Sequence, residues 1–225
     1  MQENILIHST KEFTTLLSII NTRSFRLSIS EETFSFSQKR ISYAAHPMVA
    51  FSEFRPSTLA DAKITYGKYA LGMSKEWARG SNISPVLYVG ENSTAAKGMA
   101  TLIKARKVKN KLSDDLRLAI MEVKSFVKNE VGYNSHFEVD NFDFKSENEW
   151  RYVPEKSKMD GNYISHNVST YRRKQEYYNA KLSKYPLKFE YNDIAAIFVA
   201  TKHETDEFIQ LYPKLAGKVI LTPWK

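Results

Sequence analysis

A run of strand formers with opposite charges inside it, Ser146-Glu147-Asn148-Glu149-Trp150-Arg151-Tyr152-Val153-Pro154, constrains this chain more than any other stretch. Successive strand residues face opposite sides, so Glu149, Arg151 and Val153 share one face and Trp150 and Tyr152 the other. A carboxylate is thereby fixed on a rigid element that proline closes. Two roles suit it: contact with a sugar hydroxyl or a developing positive charge, or an ordinary cross-strand pair with Arg151 at the surface.

The surrounding pattern alternates short apolar runs with helical stripes. Ile5-Leu6-Ile7 reads as a buried strand ending at His8, and Ser9-Thr10-Lys11-Glu12 has the form of a capping box opening a helix from about Lys11 to Ile20. Residues Ser24 to Ser37 read as two short extended pieces broken at Ser30-Glu31-Glu32, followed by a strand from Pro47 to Phe54 that ends at Arg55-Pro56. Thr58 to Tyr66 reads as a short helix, Tyr69 to Ser74 as a strand, Lys75 to Arg79 as a helical turn stopped at Gly80, and Pro85 to Val89 as a strand. From Ser113 the stripe Leu116, Ile120, Val123, Val127 predicts the longest helix, stopped at Gly132. Ile194 to Val199 and Lys218 to Leu221 read as strands, with a second capping box, Thr201-Lys202-His203-Glu204, between them.

At 225 residues, 42% of them hydrophobic, the chain is long enough for one substantial core, and a single domain over 1–225 is the default. No run approaches the ~20 apolar residues that span a bilayer, and the start Met1-Gln2-Glu3-Asn4 is unlike a secretory signal, which implies a cytoplasmic protein with no membrane partner. Zero cysteines exclude disulfides, thiolate nucleophiles and zinc–thiolate centres, and the five histidines are never spaced as a helical metal pair, so no metal is expected.

A formal charge of +8 favours a polyanionic partner, because each neutralised phosphate releases counterions. The charge is clustered at Lys97, Lys104, Arg106, Lys107, Lys109 and Lys111, and again at Arg172, Arg173 and Lys174 after Tyr171. Lys104, Arg106, Lys107, Lys109, Arg172 and Arg173 are the candidate nucleic-acid contacts, with Tyr171 stacking on an unpaired base, RNA being the favoured partner. A solvated basic surface is the alternative.

Val49-Ala50-Phe51-Ser52-Glu53, the segment from Tyr66 to Trp77 with its Ser74-Lys75-Glu76-Trp77 block, Pro85-Val86-Leu87-Tyr88 and Glu149-Trp150-Arg151-Tyr152-Val153-Pro154 together resemble the AbiGi family of abortive phage-resistance proteins. That resemblance implies an antitoxin-like role beside a cognate toxin or antitoxin protein and carries no mechanism. More distantly, His8-Ser9-Thr10 before a helix, with Ala50-Phe51-Ser52 and Glu149 on later strands, is similar to the ADP-ribosyltransferase fold: two packed, mainly antiparallel sheets with flanking helices around one cleft. The likeness implies an enzyme that transfers ADP-ribose from NAD to nucleic acid. His8 would hold the nicotinamide ribose, Ser52 would stand near the nicotinamide, and Glu149 would bond a ribose hydroxyl. Thr10 and Arg151 would complete the NAD site, and Tyr66 or Tyr69 would supply the aromatic ring missing at Ala50. Ser9, where that fold has glycine, departs from the pattern. Such chemistry is physically coherent, since one sheltered carboxylate stabilises an oxocarbenium-like transition state. The competing reading is a non-catalytic antitoxin or regulator that binds a toxin or DNA.

Overall fold

The computed structural model describes residues 3–61, 66–108, 110–134 and 136–224. It is a mixed α and β protein in which the chain forms two compact bodies, neither continuous in sequence: Met1–Arg26, Ala50–Ser84 and Pro186–Lys225 make one, and Leu27–Val49 and Pro85–Tyr185 the other.

In the first body the strand Ile5–Thr10 is central. Ile5, Leu6 and Ile7 are all buried, as an uninterrupted apolar run predicts for a strand covered on both faces. Its residues Ile5–Ile7 pair antiparallel with Ser52–Phe54, and Leu6–Thr10 pair antiparallel with Tyr69–Met73. Beyond Tyr69–Met73 come Ile194–Val199, antiparallel with a bulge after Ile194, and then Val219–Leu221, parallel. The first helix spans Phe13–Thr22 and begins later than expected. Ser9 and Thr10 are engaged in the ladder opposite Ala70 and Tyr69, so they cannot cap, and Glu12 takes the N-cap position without a side-chain bond. The second capping box forms in full: Thr201 Oγ1 accepts from the Glu204 N–H, and Glu204 accepts from the Thr201 N–H, opening the helix Lys202–Leu211. One side of the sheet packs Ile5, Ile7, Leu59, Ala70, Phe198 and Trp224 together. Phe25, Phe51, Trp77 and Phe189 form a separate ring cluster with centroids 5.1–6.5 Å apart, where edge-to-face packing adds to the buried area.

In the second body one long hairpin replaces the two short pieces expected before Ser37. The strand Ser28–Phe36 runs through Ser30-Glu31-Glu32 without a break and pairs with the strand Lys39–Phe54 from Ser28 opposite Met48 to Phe36 opposite Lys39. The turn falls at Ser37 and Gln38, both left-handed (φ 50 and 58), the conformation whose twist suits a two-residue hairpin. Glu31 and Glu32 do not break the strand because each carboxylate is bonded: Glu31 accepts from Tyr43 Oη at 2.6 Å, and Glu32 from Arg151 Nη2 at 3.0 Å.

The helix Thr94–Lys107, rather than the one after Ser113, is the longest of the described helices. It buries Ala96, Met99, Ala100 and Ile103 against Phe34, Ile41 and Val127. The following helix is Asp114–Lys124, and Val127 lies outside it on the strand Val127–Asn129, parallel to Leu87–Val89. Its buried face is Ile120, Met121 and Lys124, while Leu116 and Val123 stand 55% and 49% exposed. Two short helices, Val168–Arg173 and Gln175–Leu182, occupy the tyrosine-rich basic region. The Thr58–Tyr66 helix is seen as a 3-10 helix, Pro56–Asp61; residues 62–65 lie outside the described residues.

Candidate functional site

Glu149 starts the strand Glu149–Tyr152, directly after a 3-10 turn, Phe144–Glu147, that closes on Asn148 in the left-handed region. Asn tolerates that conformation, and the turn sets two carboxylates side by side. Glu149 Oε1 accepts from Arg151 Nε at 2.7 Å, and Oε2 accepts from Arg151 Nη2 at 2.9 Å and from Lys128 Nζ at 3.1 Å. Glu147 Oε2 takes a second bond from Lys128 Nζ at 2.9 Å. Arg151 is completely buried, and its remaining N–H groups reach Glu32 Oε1 and the Ser125 carbonyl. The lysine ammonium also lies 4.1 Å from the Phe144 ring centre.

This is an ion pair, and it is not at the surface. Burial alone would raise the Glu149 carboxyl; the charges and hydrogen bonds of Arg151 and Lys128 overcome it and hold the group at about 2. Burial opposes the charge on Arg151 too, but Glu32 and Glu149 raise its pKa well above the usual value. A fork-on-carboxylate pair is among the strongest side-chain hydrogen-bond geometries. Here it leaves Glu149 accepting three charged donors, with both oxygens engaged.

The other expected NAD contacts belong to the first body. His8 Nδ1 donates to the Ala50 carbonyl at 2.9 Å, and the ring lies 5.0 Å from Phe25 and 5.6 Å from Phe51. Burial lowers its pKa, against that backbone bond, so the imidazole is neutral. Ser52 pairs with Ile7 and therefore points to Ile7's side of the sheet, whereas His8, the next residue, points to the other. His8 and Ser52 are thus not brought together. Thr10 is buried on His8's side beside Tyr69, whose hydroxyl donates to Glu204 Oε1 at 2.6 Å; that bond pushes Tyr69 up to about 12. Tyr66 is 39% exposed. A cavity of about 440 Å³ in this body is lined by Ile5, Leu59, Lys75 and Phe198 among others, and by none of His8, Thr10, Ser52, Tyr66 or Tyr69.

Of the basic candidates, Arg106, Lys107 and Arg172 come together around a cavity of about 740 Å³ in the second body, joined by Arg40 and Lys124. Lys104 and Arg173 are exposed and do not line it, and Lys109 lies outside the described residues. Tyr171 is not the stacking ring: it is 4% exposed, packed on Ala45 and Val168. The exposed ring at the cavity is Tyr163, 68% accessible. Arg40 and Lys124 escaped sequence reading, although a lysine four residues after Ile120 on one helix was a signal that one charge faces inward. Among the described residues no three His, Asp or Glu side chains gather as a metal site, and no helix is long and apolar enough to cross a membrane.

Residues 23–200 match the family described as "Putative abortive phage resistance protein AbiGi, antitoxin", and the chain belongs to that family. Glu149 and Arg151 lie inside the match, whereas His8 and Thr10 precede it. No curated protein and no solved structure matches the chain.

Proposed function

We propose that this chain is a non-catalytic antitoxin-type component of an abortive phage-resistance system, acting by binding a toxin protein. The observation that carries the reading is the engagement of both Glu149 oxygens: three charged N–H donors from Arg151 and Lys128 hold the carboxylate that NAD cleavage would need for a ribose hydroxyl. Transition-state stabilisation requires a group aimed at charge that develops during reaction, and this group is already committed to Arg151 and Lys128. The family description supports the same reading. A surface for a protein partner is offered by Leu116 and Val123, seven residues apart on one face of the helix Asp114–Lys124 and both about half exposed.

The test is growth. Expression of the chain alone should leave bacteria unharmed, and co-expression with the toxin of the same system should restore growth. The double variant Leu116→Glu, Val123→Glu should lose that rescue and the co-purification of the toxin while melting as the parent does. Growth arrest by the chain alone, or NAD consumption by the purified protein that Glu149→Gln abolishes, would instead establish the ADP-ribosyltransferase reading with NAD as substrate.

A further inference from the structure

Among the described residues, five cationic side chains, Arg40, Arg106, Lys107, Lys124 and Arg172, and no carboxylate line the 740 Å³ cavity. They come from the strand Lys39–Phe54, the helices Thr94–Lys107 and Asp114–Lys124, and the helix Val168–Arg173. Mutual repulsion makes such a gathering costly unless something anionic fills it. Of the five, only Arg172 forms an ion pair in the described residues, with Glu31 at 2.6 and 2.8 Å. Arg106 Nε and Lys107 Nζ donate to the carbonyls of Arg117 and Ile41.

Lys124 is the strongest sign. It is 5% exposed, and its Nζ has one bonded partner among the described residues, His46 Nε2 at 3.3 Å. His46 Nδ1 donates to the Ile164 carbonyl at 3.2 Å, so Nε2 is the lone-pair nitrogen and can accept only one of the three ammonium protons. Burial and the neighbouring lysine hold His46 near 3, hence neutral. Lys124 lines the cavity with its ammonium nine-tenths buried, with donors to spare and with no carboxylate hydrogen-bonded to it among the described residues; Glu32 acts on it only at longer range.

We propose that this cavity is a binding site for a nucleotide carrying two or three phosphates. Its volume lies in the range of small-molecule sites, roughly 300–1,000 Å³. A terminal phosphate brings about −1.5 to −2 at neutral pH, so a di- or triphosphate matches the four cations that Glu31 does not neutralise. Lys124 and Arg106 take the phosphates at the floor, and Arg40 and Lys107 at the rim. The base lies against Tyr163 and His166, whose rings stand 5.8 Å apart at the mouth, and Asn167 offers donor and acceptor to its edge. This site is independent of toxin binding and of Glu149, which does not line it.

The test is calorimetry on the full chain with ATP, GTP, ADP, adenosine and a ten-nucleotide single-stranded RNA as probes. A one-to-one complex with at least one of ATP, GTP and ADP, and none with adenosine, is expected. Lys124→Met should weaken it at least tenfold, and so should the double variant Arg40→Gln, Lys107→Gln at two exposed residues, checked by a melt to be folded. Lys104→Gln, a basic change off the lining, should leave it unaltered. Absence of binding to all three nucleotides, equal binding of the lining variants, or tighter binding of the RNA that Lys104→Gln also weakens would each overturn the proposal.

Discussion

Glu149→Gln separates a structural carboxylate from a catalytic one. The substitution keeps size and shape and removes the charge. Arg151 would keep Glu32 and the Ser125 carbonyl, and Lys128 would keep Glu147, so neither cation is stranded. The glutamine amide nitrogen, however, must face Arg151 in either flip, at Nε alone or at Nη2 together with Lys128, donor against donor. The carboxyl falls from its usual 4.5 to about 2 in the folded protein. At 1.36 kcal/mol per pKa unit that is about 3 kcal/mol of stability at neutral pH. Glu149 is 8% exposed, so solvent screening takes little from it. At about 3 °C per kcal/mol for a chain of this size, the melting temperature should fall on the order of 9 °C.

The sign with pH is fixed by the same numbers. A carboxylate whose folded pKa is depressed contributes fully above its unfolded pKa and loses the contribution as pH falls through the folded one. The gap between parent and variant should therefore be constant above pH 5 and shrink to about 2 kcal/mol near pH 3.5. Melts followed by circular dichroism at pH 7 and 3.5 measure it. A variant that melts within 2 °C of the parent at pH 7 would refute the structural role given to the Glu149 carboxylate.

Gly67→Ala should destabilise the first body severely or prevent its folding, because a Cβ there would collide with the carbonyl carbon and oxygen of Thr10, both backbone atoms; expression level and melting temperature report it. Tyr171→Ala should cost about 3–5 kcal/mol by opening a core cavity, whereas Tyr163→Ala should stay within about 0.5 kcal/mol, a contrast denaturant melts resolve. Lys124, with His46, Glu32, Arg106 and Lys107 around it, is lowered by burial from 10.5 to about 8, so the unfolded state binds more protons in that window. Stability of the parent should accordingly rise between pH 8 and 10 relative to Lys124→Met, and equal slopes in pH-dependent melts would contradict the burial of that ammonium.

Local signals were legible where the residues that decide an element are neighbours in sequence. Thr201 and Glu204 cap a helix three residues apart, and both bonds form. Ser9 and Glu12 have the same spacing, but Ala70 and Tyr69 claim the Ser9 and Thr10 backbone for the sheet, which nothing in residues 9–12 announces. Likewise, Glu31 and Glu32 read as a break because charged pairs suit turns. Their partners, Arg172 and Arg151, lie more than a hundred residues away and make a strand of them. The Glu149–Arg151 pairing was visible from period-2 geometry. Its depth was not, since Lys128 and Glu32 complete the network from other elements.

The helix Asp114–Lys124 shows how one misjudged angle can conceal a site. A stripe through Leu116, Ile120, Val123 and Val127 presumes that the helix continues to Val127 and turns that line inward. In fact the helix stops at Lys124, Val127 is drawn away into the parallel pair with Leu87–Val89, and the buried line passes through Ile120, Met121 and Lys124. One residue along a helix is about 100° of rotation, so exchanging Val123 for Lys124, with Ile120 on both lines, turns the inward face by roughly 80°. The two halves of the error are complementary. The apolar residues that the stripe turns inward, Leu116 and Val123, are about half exposed, and Lys124, which the stripe leaves out, is buried and lines the cavity with Arg106 and Lys107. Burying Lys124 in place of Val123 costs folding energy that a hydrophobic residue would not. A ligand that brought its own negative charge would offset that cost on binding, whereas the buried lysine and the exposed stripe both follow from the single orientation of this helix.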